Sequence, residues 1–279
     1  MRTTAQNAEL ALLLEVAGTP KPGNVDRHRE YDDLRFEHFL AGAVGAREGL
    51  EMAADGEPLG ESFRRAIEGM SEQRGGNTQF GAILLQLPLV AAAGEDDRSL
   101  SPEGATAVVE STTVADAAGF YRAFEAVDVA VDEPPEDMAA LDVRRGSEAV
   151  PTLRERGLTL EAIMEQSADV DDVAAEWVEG FERVFGAAER LEALSGPVAD
   201  RSSTVFLELL AERPDTFVVT RQDRETAEEV RRRAQAVLTG EESADALADE
   251  LVERDINPGT TADLTAGALF VALERGQDV

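Results

Sequence analysis

Cysteine is absent from the 279 residues, and Lys21, His28, His38 and Trp177 are the only residues of their kinds apart from the two histidines sharing one. Without cysteine there is no disulfide framework, thiol nucleophile or thiolate metal site. Two histidines leave little for a zinc centre. No run of 18 apolar residues exists, which argues against a transmembrane helix. Residues 1–18 contain Glu9 and Glu15 and read as a first helix, not as a leader peptide. What abounds is acid: 57 Asp+Glu stand against 26 Lys+Arg, for a formal charge of −31. Such a surface repels nucleic-acid backbones and anionic lipid, so neither nucleic acid nor membrane is an expected partner. Hydrophobic content of 43% is that of a chain that buries a core. Dense carboxylates with arginine in place of lysine fit a cytoplasm at molar salt, where the Debye length is about 3 Å and surface repulsion is screened.

Strand-like alternation is nearly missing; Thr216–Thr220 is the one strand candidate, and its residues fit a helix turn equally well. Helical spacing or propensity covers 3–17, 34–54, 59–73, 78–93, 103–127, 158–165, 170–194, 200–212, 222–238, 243–254 and 260–275. Residues 131–151, with Pro134, Pro135, Gly146 and Pro151, read as an irregular connection. The expected architecture is one all-α domain over 1–279. Its centre is two helices apolar on nearly every face, 78–93 and 260–275. Pro88 is expected to bend the first. Thr260-Thr261-Ala262-Asp263 opens the second in the manner of a capping box.

Three short loops are candidates for chemistry: Lys21-Pro22-Gly23-Asn24, Gly75-Gly76-Asn77-Thr78 and Asn257-Pro258-Gly259-Thr260. The last two feed the N-termini of the apolar helices, where unpaired N–H groups and the helix dipole favour an anion. Turn formation alone would also explain such residues. Lys21 offers a compact point charge to a phosphate. With acids this dense, adjacency of carboxylates carries no information. Only those beside the loops gain weight: Glu15, Asp26, Asp33 and Asp263. His28 and His38 read as surface or capping residues, and Trp177 as core.

Taken together, Glu15, Thr19-Pro20-Lys21-Pro22-Gly23-Asn24-Val25-Asp26-Arg27, Asp33-Leu34, Gly75-Gly76-Asn77-Thr78-Gln79-Phe80-Gly81 and Asn257-Pro258-Gly259-Thr260-Thr261-Ala262-Asp263-Leu264 resemble, in order and spacing, the triphosphoribosyl-dephospho-CoA synthase family. In composition the chain resembles a haloarchaeal member. The resemblance implies an all-α enzyme that moves the triphosphoribosyl group of ATP to the 2′-hydroxyl of 3′-dephospho-CoA and releases adenine. It implies a catalytic set among Asp26, Asp33 and Glu15, with Asp26 or Asp33 as base. Lys21, Gly23, Gly75, Gly76, Asn77, Thr78, Asn257, Gly259 and Thr260 would bind the nucleotide, and Asp33 and Asp263 would hold Mg²⁺. The chain departs from the family at Gln79-Phe80, where His-Lys is common, at Tyr31 in place of His, and at Thr260-Thr261 in place of Gly-Ser. These departures leave open a diverged transferase with another phosphorylated acceptor, or a silent nucleotide-binding protein.

Overall fold

The helices form in chain order because short polar caps and apolar stripes alternate along the sequence. In the computed structural model, which describes residues 2–94, 99–134 and 136–279, Thr3 caps α1 (Thr4–Ala17) through a reciprocal box with Gln6. His38 completes a similar box on α2 (Phe36–Ala54), accepting from Arg35 N–H at 3.1 Å. Then come α3 (Leu59–Met70), α4 (Phe80–Gly94), α5 (Pro102–Glu110) and α6 (Val114–Ala123). Two 3-10 segments, Glu136–Leu141 and Val143–Ala149, lead into α7 (Val150–Arg156) and α8 (Leu160–Ser167). The chain continues with α9 (Asp172–Val178), α10 (Glu182–Ala193) and α11 (Val198–Glu212). Next are α12 (Thr216–Arg221), α13 (Arg224–Leu238), α14 (Ala244–Glu253) and α15 (Gly259–Glu274). Among the described residues there is no strand, and no helix is long and apolar enough to cross a membrane.

One open reading resolves and two expectations need correction. Thr216–Thr220 belongs to α12, because Asp215 caps it by accepting from Val218 N–H at 3.0 Å. The helix expected over 103–127 breaks at Ser111-Thr112-Thr113, where Thr113 and Asp116 form a new capping box. The helix expected over 170–194 turns a corner at Gly180 (φ 73°) and Phe181 (φ 60°). The connection 131–151 contains the two 3-10 segments, and Pro135 lies outside the described residues.

The two apolar helices do lie inside. Most of α4 and nearly all of α15 are buried, α4 running through Pro88 without a break. Gln86 Nε2 donates to Ala266 O at 3.1 Å and joins them. Helices α1, α10 and α11 pack around α15, and α2, α3 and α5 around α4. A second apolar cluster sits between α11, α13 and α14, on Phe206, Leu210, Val230 and Leu251.

Helices α2 and α3 cross at backbone contact: a Cβ on Gly69 would stand 2.0 Å from Gly45 O, and one on Gly45 2.1 Å from Gly69 O. Neither main chain yields to a methyl group without parting the helices. Gly69→Ala is therefore expected to cost about 2 kcal/mol by overpacking. Gly186→Ala, on α10 with nothing within 4 Å of the added carbon, should stabilise by about 1 kcal/mol through helix propensity. Denaturant melts of the two variants check the contrast.

Candidate active site

The first and third sequence loops are pressed together. A Cβ on Gly23 (φ 74°) would stand 2.2 Å from Ile256 O, so only glycine fits. Asn24 Nδ2 donates to Asn257 Oδ1 at 2.9 Å, and Tyr31 Oη to Gly23 O at 2.5 Å. Lys21 is fully buried beneath them. Its ammonium donates to the Glu15 carboxylate and to Asn24 Oδ1 at 3.2 Å, 5.9 Å from the centre of the Phe206 ring. Burial pushes the Glu15 carboxyl up, and the Lys21 charge opposes this. Asp26, also buried, organises the loop: it accepts from Thr19 Oγ1 (2.8 Å), from the Lys21, His28 and Arg29 N–H groups, and from the Arg29 guanidinium.

Beside this knot opens a cleft of about 500 Å³. Its polar wall is made where helices begin: Asn77 and Gly81 at α4, Asp171 at α9, Thr216 and Phe217 at α12, Thr260 and Asp263 at α15. Asn77 Oδ1 accepts from Phe80 N–H at 3.1 Å and so caps α4. The start of α15 is capped from another helix. Asp215 Oδ2 accepts from both Thr261 N–H and Thr261 Oγ1 at 2.7 Å. Thr260 Oγ1 meets Thr216 Oγ1 at 3.0 Å and accepts from Phe217 N–H. The capping box expected within 260–263 is thus replaced by a tertiary one, and no side chain of α15's own leading residues caps it.

Asp263 instead lies against the first turn of α4 and faces the Ala82 N–H. A Cβ on Gly81 would stand 2.0 Å from its Oδ2. Burial, then the charges of Glu15, Asp215 and Asp171, push its carboxyl well above the usual range. The opposite wall is apolar. Phe80, Phe120 and Phe124 interlock edge to face with centres 4.8–5.2 Å apart for the Phe80–Phe124 and Phe120–Phe124 pairs, joined by Met138, Leu141 and Met164. No Lys or Arg is among the described residues lining the cleft.

Of the residues expected from sequence, Asn77, Thr260 and Asp263 meet in the cleft. Glu15, Lys21, Gly23, Asp26 and Asn257 form the buried knot, linked to it by the Glu15–Asp263 repulsion. Gly75, Gly76 and Thr78 shape the approach to α4: Gln73 Oε1 accepts from Gly75 N–H and Gln73 Nε2 donates to Gly76 O. Gly259 packs on the Phe217 ring. Asp33 is exposed on the loop before α2 and does not line the cleft. Gln79 is buried, with Nε2 donating to Leu12 O at 3.2 Å. Sequence reasoning missed Asp171, Asp215 and the aromatic wall. Both aspartates stand one residue before a helix, the position of an N-cap, and that signal was available.

A bound Mg²⁺ is not matched by a protein cage. Among the described residues no three His, Asp or Glu side chains group so as to hold a metal ion. Asp33 and Asp263 stand on different elements, one exposed and one on the cleft wall.

A family model described as ATP:dephospho-CoA triphosphoribosyl transferase matches residues 1–278. Among solved structures, the chain is similar to one described as a triphosphoribosyl-dephospho-CoA synthase from Archaeoglobus fulgidus. Identity is 26% and the TM-score 0.67, with 85% of this chain and 99% of that one covered. None of the curated proteins matches.

Proposed function

The chain belongs to the ATP:dephospho-CoA triphosphoribosyl transferase family, and from this premise we propose that its cleft joins the triphosphoribosyl part of ATP to the 2′-hydroxyl of dephospho-CoA and releases adenine. The observation that carries the site assignment is the meeting of helix starts and an aromatic wall in one cleft. The long helices α4 and α15 present their positive ends there, each equivalent to roughly half a charge. In a chain of charge −31, backbone N–H groups and neutral Asn77 and Thr260 are the donors an anion can use. The aromatic wall supplies a flat apolar surface for a purine.

Breaking the bond between ribose and adenine requires a proton on the departing base. Asp263, whose burial and like-charged neighbours strengthen its hold on a proton, is suited to give it. The buried knot of Glu15, Lys21, Asn24 and Asn257 fixes the start of α15, and so the position of Asp263. Mg²⁺ belongs to this reading as a companion of the triphosphate, held chiefly by phosphate oxygens. The acidic surface points to work in a salt-rich cytoplasm.

The test is to incubate the purified chain with ATP and Mg²⁺ in molar KCl, with and without dephospho-CoA. Adenine is followed by chromatography and the product by mass. Adenine together with a triphosphoribosylated acceptor is expected. One observation favours a second reading: Phe80 and the lack of a cationic side chain among the described residues of the lining leave the phosphates of the acceptor without a side-chain counter-charge there. Adenine release only with a different acceptor would establish that reading, and ATP binding without adenine release would overturn both.

A further inference from the structure

The buried knot leaves the acceptor hydroxyl without a base, since Asp26 is taken up by its loop and Glu15 by Lys21. The cleft itself holds five carboxylates: Asp132, Glu133, Asp142, Asp171 and Asp263. Asp142 is bound by the Arg144 guanidinium, at 2.5–3.0 Å. Asp132 accepts from Thr220 Oγ1 at 3.2 Å. Glu133 is exposed on the strap between α6 and the first 3-10 segment. Asp263 rests on α4.

Asp171 differs from all four. It is anchored at the N-cap of α9, where it accepts from Val173 N–H at 2.9 Å. No cationic side chain among the described residues pairs with it. The neighbouring Asp172 draws both nearby arginines, Arg183 at 2.5 Å and Arg213 at 3.5 Å. A helix cap holds the carboxyl still, and the lack of a cation leaves it basic. The same wall carries Asp263 and Thr260.

We propose that Asp171 is the general base of the transfer, taking the proton of the acceptor hydroxyl. The assignment rests on the transferase reading above. As the hydroxyl oxygen bonds to the ribose C1′ of ATP, the bond from C1′ to adenine N9 breaks and its electron pair leaves with the base. The hydroxyl proton passes to the Asp171 carboxylate and the departing adenine takes up one proton, so the step neither gains nor loses a proton. The charged groups that face Asp171 are Asp172 on its own helix, Asp215 at the start of α12 and Asp263 on α15, all acidic. Burial, then the charges of Asp172 and Asp215, push its carboxyl up to about 6, so it is ionised at neutral pH yet more basic than a free carboxylate.

Asp171→Asn tests this cleanly, because asparagine caps a helix as well as aspartate does. The variant should melt like the parent in acid and higher at neutral pH, where the raised carboxyl costs the parent stability, and should bind ATP, by calorimetry with ATP and Mg²⁺, with unchanged affinity. Its kcat for transfer to dephospho-CoA should fall about a hundredfold. The parent's kcat should rise with pH to a plateau above about 6, because the base must be ionised, and this acid limb should vanish in the variant. Asp171→Glu should recover part of the rate. Full activity of Asp171→Asn, or a loss confined to ATP affinity, overturns the assignment while the transferase reading stands. A parent that releases adenine but never modifies dephospho-CoA overturns the acceptor reading, and this assignment with it.

Discussion

Lys21→Met is expected to destabilise the protein by about 3–5 kcal/mol, because it strands the buried Glu15 carboxylate without its partner. Lys21 is wholly buried, and Glu15 nearly so. Removing the ammonium removes the influence that holds the Glu15 carboxyl down, so its folded-state pKa rises further above the unfolded one. The variant's deficit should accordingly be small in acid and grow as the pH rises through the carboxylate range and beyond. Adding Glu15→Leu to Lys21→Met should recover most of the loss, since an apolar pair of similar volume often replaces a buried ion pair at little cost.

Lys21→Arg is informative in another way. The slot is closed by Asn24 and by the Phe206 ring, and a planar guanidinium is larger than an ammonium. We expect a loss of about 1–3 kcal/mol from overpacking. That would explain why the one lysine in the chain stands where every other basic position has arginine. Melts at pH 5 and pH 8 in high salt decide the matter. A Lys21→Met protein as stable as the parent but unable to bind ATP would instead place Lys21 on a phosphate.

Asp263→Asn is expected to lower kcat for adenine release about a thousandfold, the range of a lost general acid. Asparagine keeps the shape against Gly81 and an oxygen toward the Ala82 N–H, but has no proton to give. Stability should hold, and rise slightly at alkaline pH. In the parent the raised folded-state pKa means that stability is lost as pH rises through it, because the unfolded chain gives up that proton first. The amide has no such dependence. Rapid-mixing measurement of adenine against a pH series checks both. A variant within about threefold of the parent rate would remove Asp263 from the chemistry.

Much of this was present in the residues before folding. Helical spacing located most helices, because local propensity and caps act within one turn. Helices α4 and α15 declared themselves central, since a segment apolar on every face has no solvent side to offer. The three loops were marked by Gly, Pro and Asn, and two of them do stand at the starts of those helices. Where the reading failed, the competing influence came from far along the chain. Asp215 looked like an ordinary acid among 57, yet it caps its own α12 with one oxygen and α15 with the other.

The sequence by itself determined a helical chain with two buried apolar helices and loops marked by Gly, Pro and Asn. Tertiary structure decided the surroundings of each carboxylate. Glu15 and Lys21 became a buried pair, Asp263 came to rest on α4 instead of capping α15, and Asp171 was left facing the cleft while Asp172 took the arginines. The physical reason is that helix formation is governed by neighbours three or four residues away, whereas the burial and charge environment of a carboxylate is set by whichever helices pack around it.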